Sequence, residues 1–126
     1  MRTFIAATVV SLTAIAVPTL VHAQDAAAGK KVFRRCQACH TVDEGGRNKP
    51  GPNLWGIFSS AAGTRPTGFK YSDALKKSGI VWDEATMSSF LENPRKSVPK
   101  TRMAFPGLKK AQQRDDVIAY LKSVTQ

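Results

Sequence analysis

The sequence predicts an all-α fold in which three to four short helices are joined by long loops wrapped around an internal group. Three observations predict it. Apolar residues recur at helical spacing in a few short stretches, no stretch alternates as a half-buried strand would, and the segment from Thr41 to Thr67 is dense in Gly and Pro. A compact domain rarely holds a loop of about 25 residues unless something else organises it.

Taken in order, residues 25–38 read as a helix with Val32, Phe33 and Cys36 on its apolar side. The Gly/Pro-rich loop follows, with "EGGRNKPGPN" and "AAGTRPTG". Ser72 caps a short helix that ends at Gly79. Asp83 starts another, with Met87, Phe90 and Leu91 on one face and Asn93-Pro94 as its stop. Residues 95–107 form a second irregular stretch broken by Pro99 and Pro106. The last helix runs from about Gln112 to Val124, with Val117, Tyr120, Leu121 and Val124 at helical spacing. The chain of 126 residues has room for one domain.

Residues 1–23 stand apart as a cleaved secretory signal peptide. Arg2 supplies a positive start, Phe4 to Val17 is mostly apolar, Pro18 breaks the run, and Val21-His22-Ala23 presents small residues where a signal peptidase reads. The apolar run falls short of the ~20 residues that span a bilayer, which disfavours a retained anchor. Cleavage after Ala23 leaves 24–126 as an exported domain, expected in the periplasm, monomeric and without stable membrane insertion. Arg2 is the leader's sole charged residue, so the formal charge of +10 drops by one on its removal. Such a surplus suits nucleic acid, anionic lipid or an acidic protein surface. Export argues against nucleic acid.

Within 24–126 the chemistry concentrates at "CQACH". Cys36, Cys39 and His40 are three and four residues apart, so at a helix end they approach one flat object from the same side. Cys-x-x-Cys-His is the attachment signature of a c-type haem, held by two thioether bonds with the imidazole on iron. A thioredoxin-like redox pair needs a strand–helix context that is missing. Zinc needs four ligands, and the leader removes His22. A structural disulfide fits export but leaves the histidine and the loops unexplained. For the sixth coordination position the soft candidates are Met87 and Met103. Met87 shares an apolar helix face with Phe90 and Leu91 and reads as core. Met103 lies in the irregular "PKTRMAFPG", where no helix face buries it, and iron is the partner it suits. A His/Met pair fills both axial positions and raises the potential, which favours electron transfer over catalysis.

The motifs "GKKVF", "GPNLWGIF", "GFKYSDALKKSGIVWDE", "FLENPRKSVPKTRMAF" and "VIAYLK" give 24–126 a close resemblance to the class I cytochromes c, especially the bacterial periplasmic members most like mitochondrial cytochrome c. The resemblance implies the small class I fold around one haem c per chain, covalent through Cys36 and Cys39, with His40 and Met103 as axial ligands. It implies that the Pro52 carbonyl orients the imidazole, that Tyr71 and Trp82 bond a buried propionate assisted by Thr101, and that Phe105 lies at the exposed haem edge. Gly29, Phe33, Val117 and Tyr120 match the crossing of the first and last helices. Three departures stand out. "SSAAG" has no basic residue where the mitochondrial form has an arginine near the propionates, with Arg65 nearby in the loop. Leu75 replaces a polar residue, and Phe90 replaces a tyrosine that bonds the methionine sulfur.

The family also implies that Lys30, Lys31, Arg35, Lys49, Arg95, Lys96, Lys100, Arg102, Lys109 and Lys110 ring the haem edge and dock on acidic surfaces. The expected role is that of an electron carrier, not an enzyme. It would draw electrons from a membrane quinol:cytochrome c reductase and pass them to a terminal oxidase, a reaction centre or another reductase. The rivals are a haem enzyme or gas sensor with an open axial site, and a dedicated electron-transfer subunit of a dehydrogenase.

Overall fold

A computed structural model describes residues 23–126, so the leader assigned to 1–23 lies outside the described residues apart from Ala23. Five helices follow one another: α1 (Ala26–Phe33), α2 (Asp73–Lys76), α3 (Glu84–Glu92), α4 (Pro94–Ser97) and α5 (Ala111–Val124). The described residues contain no strand, only an isolated antiparallel bridge between Ala61 and Val81.

The centre of the fold is the packing of α1 against α5. Asp25 caps α1 by accepting from the backbone N–H groups of Ala27 and Ala28, at 2.9 and 3.0 Å. Its own backbone N–H donates to buried Asp116 on α5, whose carboxylate also accepts from Gln112. Gly29 makes this approach possible. A Cβ there would fall inside the van der Waals shell of the Asp116 carbonyl oxygen and 2.9 Å from Tyr120 Cβ. Beside it the rings of Phe33 and Tyr120 lie 5.4 Å apart. Val117 and Ile118, each 1% exposed, carry the α5 side of the core.

On α3 a capping box closes the first turn. The Thr86 N–H donates to Asp83 Oδ1 at 2.8 Å, and the Asp83 N–H donates to Thr86 Oγ1 at 2.9 Å. Met87, Phe90 and Leu91 are the buried face, as the spacing predicts. Asn93 ends α3 and caps α4 at once, with Pro94 at the first position of the new helix.

Three expectations need correction. α2 stops at Lys76, short of the expected end at Gly79. The first helix stops at Phe33, five residues before Ala38. Beyond it the chain tightens into turns, with Cys36 N–H on the Phe33 carbonyl and His40 N–H on that of Cys36. The irregular stretch 95–107 begins with the last turns of α4, which raises the helix count from the expected three or four to five. Asn93-Pro94 reads as a stop because proline cannot continue α3, yet the same pair starts a helix well.

Candidate functional site

Between the helical core and the two long loops lies a cavity of about 540 Å³, within the range of sites that take small molecules and cofactors. Cys36, Cys39, His40, Pro52, Tyr71, Trp82, Thr101, Met103 and Phe105 all line it. The structure therefore brings the nine residues expected to contact the cofactor to one cavity. Met87 lines it too, but at 4% exposure and inside the apolar cluster of α3, so the core reading stands.

The turns after α1 present Cys36 half-buried and Cys39 exposed, both as free thiols. Burial pushes the Cys36 thiol up, partly opposed by the Arg35 charge. His40 Nδ1 lies 2.7 Å from the Pro52 carbonyl oxygen. A carbonyl only accepts, so Nδ1 carries the proton and the Nε2 lone pair is left for a metal. Burial lowers the His40 pKa, against the opposing pull of the Pro52 bond, and so favours the neutral ring. Gly51, missed in the sequence reading, makes room for this ring. A Cβ there would lie 2.5 Å from His40 Cε1 and 2.9 Å from the Cys39 carbonyl oxygen. The signal was available in Pro50-Gly51-Pro52, where glycine interrupts two prolines in front of the imidazole's acceptor.

The loop carrying the Pro52 acceptor is organised by two asparagines rather than by regular structure. Asn48 Oδ1 accepts from Asn53 N–H, and Asn53 Oδ1 accepts from Trp55 N–H. The Asn53 amide also donates to Thr41 Oγ1 and the Asp43 carbonyl.

On the Met103 loop the Met103 N–H donates to Thr101 Oγ1 at 3.3 Å, and Arg102 reaches across to the Lys70 carbonyl. Phe105 sits half-buried under the Arg35 guanidinium, 5.4 Å from its ring centroid. Tyr71 Oη is 3.3 Å from Thr67 Oγ1. Trp82, 6% exposed, stacks edge-on against Phe90 at 5.1 Å, and its indole N–H finds no acceptor among the described residues. That N–H is open to the cavity rather than sealed, since no buried side-chain nitrogen or oxygen among the described residues lacks a partner.

These details fit a haem. Two free thiols, a ring nitrogen lone pair and a thioether suit covalent attachment and axial ligation, and the orphan indole N–H suits a carboxylate within the cavity. The wall near α3 is apolar, with Leu75 and Phe90 on it. No helix among the described residues is long and apolar enough to cross a membrane.

Comparison with known proteins agrees. The Cytochrome c family model matches residues 26–125. A cytochrome c of Sesamum indicum is 49% identical over 102 residues, spanning 80% of this chain and 91% of the relative. A cytochrome c2 of Afifella marina is 49% identical over 100 residues, spanning 77% and 80%. The solved structure of cytochrome cH from Methylobacterium extorquens superposes with a TM-score of 0.74 at 47% identity, covering 79% of this chain and 98% of that one.

Proposed function

The chain belongs to the cytochrome c family of haem-based electron carriers with one covalent haem c per chain, and from that premise we propose that it shuttles single electrons across the periplasm between membrane redox complexes. The observation that carries the reading is the gathering of Cys36, Cys39, His40 and Met103 on one cavity. Haem c supplies a one-electron ferric/ferrous couple when bound.

The protein's own residues do the rest. The Cys36 and Cys39 thiols would hold the group by thioether bonds, and His40 Nε2 and the Met103 sulfur would ligate its iron. Pro52 fixes the imidazole's tautomer and orientation through the 2.7 Å bond. Tyr71, Trp82 and Thr101 meet a propionate, and Trp82 has its donor free for it. Leu75, Phe90 and the α3 core exclude water from the cavity wall. With His40 and Met103 both on the iron, no substrate would reach it, which would separate a carrier from an enzyme.

Docking falls to the basic rim. Lys30, Lys31, Arg35, Lys49, Arg95, Lys96, Lys100, Arg102, Lys109 and Lys110 are available to acidic faces of a quinol:cytochrome c reductase and of an oxidase, reaction centre or other reductase. Arg35 over Phe105 puts one such charge on the aromatic residue assigned to the haem edge. Complementary charge steers encounter and leaves affinity weak enough for release. The expected result is a transfer rate that falls steeply with ionic strength.

A redox titration with visible spectra of the periplasmic protein tests the reading. A haem that survives denaturation, a weak methionine-to-iron band and one reversible electron are expected. Rapid carbon monoxide binding to the reduced protein would instead support an open-site enzyme or sensor, and permanent co-purification with a dehydrogenase would support a dedicated subunit. The intact mass reports whether the leader is removed after Ala23.

A further inference from the structure

The charges on the cavity wall are of one sign. Arg35, Arg65, Lys70 and Arg102 line it, and no Asp or Glu does. Three of the four are exposed at the rim. Arg35 lies on Phe105, Arg102 is spent on the Lys70 carbonyl, and Lys70 itself is exposed. Arg65 differs. It is half-buried, and its Nη2 donates to the carbonyl oxygens of Asn53 at 2.8 Å and Trp55 at 2.5 Å. Those bonds fix the guanidinium against the same loop that carries Pro52. They use one nitrogen of three. Nε and Nη1 have no acceptor, and Arg65 has no carboxylate partner, among the described residues.

The unused donors are open to the cavity, and partial desolvation disfavours the charged guanidinium, so an anion placed there would favour it. The planar fork of arginine suits a carboxylate. The occupant of this cavity brings two carboxylates as its propionates. We propose that Arg65 is the counter-ion of a haem propionate in this protein and sets the reduction potential through it. The inference rests on the haem-carrier reading. It assigns the role to the loop after Gly63, since residues 59–63 offer no base.

The electrostatics fix the direction. The ferric state carries one more positive charge than the ferrous state, so an ionised propionate without its cation favours the ferric state and lowers the potential. The same loss makes that propionate easier to protonate, because an opposite charge nearby is what favours the ionised form. The other charged or titratable groups on the wall are Arg35, Lys70, Arg102, Tyr71, His40 and the thiols Cys36 and Cys39. None is a carboxylate, so an acid-side change in potential cannot come from a protein acid on that wall.

The test compares wild type, Arg65→Lys and Arg65→Gln by redox titration across the acid to neutral range. The expected result is a lower potential for Arg65→Gln at neutral pH that climbs as the pH falls, a nearly flat wild type, and an intermediate Arg65→Lys. A purely structural arginine, stapling the Asn53 and Trp55 carbonyls, would lower unfolding stability in Arg65→Gln and leave the potential and its pH profile at wild-type values. That outcome overturns the proposal. A wild-type protein without covalent haem would overturn the carrier reading itself, so the two failures are separable.

Discussion

The α1–α5 crossing and the loops that enclose the cavity are held together by different means. At the crossing, Gly29 meets the Asp116 carbonyl, Phe33 meets Tyr120, and Val117 and Ile118 are almost wholly buried. Around the cavity, Tyr71, Thr101, Met103 and Phe105 are only half-buried. Their loops are tied by single bonds such as Arg102 to Lys70 and Asn48 to Asn53. The crossing buries apolar side chains against one another, and Phe33, Val117 and Leu121 present the far side of that core to the cavity. The loops present ligand-type side chains to the cavity, so a group bound there would add contacts to loops that carry few of their own.

Substitutions that act on one region alone test this contrast. Gly29→Val drives a β-carbon bearing two methyl groups into the α5 backbone and should cost about 3 kcal/mol or more, read by denaturant unfolding, because overpacking at a backbone contact has little room to relax. The visible spectrum of whatever folded protein remains should be unchanged. Gly51→Ala places a methyl 2.5 Å from His40 Cε1 and should cost about 1–3 kcal/mol. Unlike Gly29→Val, it should also alter the absorption spectrum through the displaced imidazole. Met103→Ala removes a half-buried side chain and should cost only about 1–2 kcal/mol of stability. It should abolish the methionine-to-iron band and admit carbon monoxide. If Met103→Ala retained that band, the ligand assignment would be wrong.

The smallest effect expected is at the α3 cap. A backbone N–H bond from Thr86 holds the Asp83 carboxyl below the usual carboxylate range, and the Lys122 side chain does the same for Glu84. A depressed folded pKa contributes stability that is full above the unfolded value and is lost as the pH falls through the folded one. Asp83→Ala should therefore flatten the acid side of the stability profile and leave the potential untouched, a change read by thermal melts at several pH values. A shift in potential would mean that α3 and the cavity are coupled through Trp82 and Phe90.

Much of this architecture is legible in local pattern. The apolar spacing of Met87, Phe90 and Leu91 marks α3, Ser72 marks α2, and the Cys36-to-His40 run announces the site. Two features are not legible in that way. The end of α1 at Phe33 escapes pattern because Arg34 and Arg35 continue a sequence compatible with helix, while the chain turns instead to present Cys36, Cys39 and His40. The start of α4 escapes because proline is both a helix terminator and a good first residue.

By itself the sequence determined which chemistry the protein carries: the spacing of two thiols and a histidine, a methionine in a loop, and a surplus of positive charge. These are covalent and compositional facts, and no folding is needed to state them. Only the tertiary structure decided that Met103 reaches the cavity of Cys36 and His40, that Gly51 clears space for the imidazole, and that Arg65 is anchored on the cavity wall without a carboxylate partner among the described residues. Each of these joins residues distant in the chain through loops, and a loop's path is set by individual hydrogen bonds and close approaches that leave no periodic trace in the sequence.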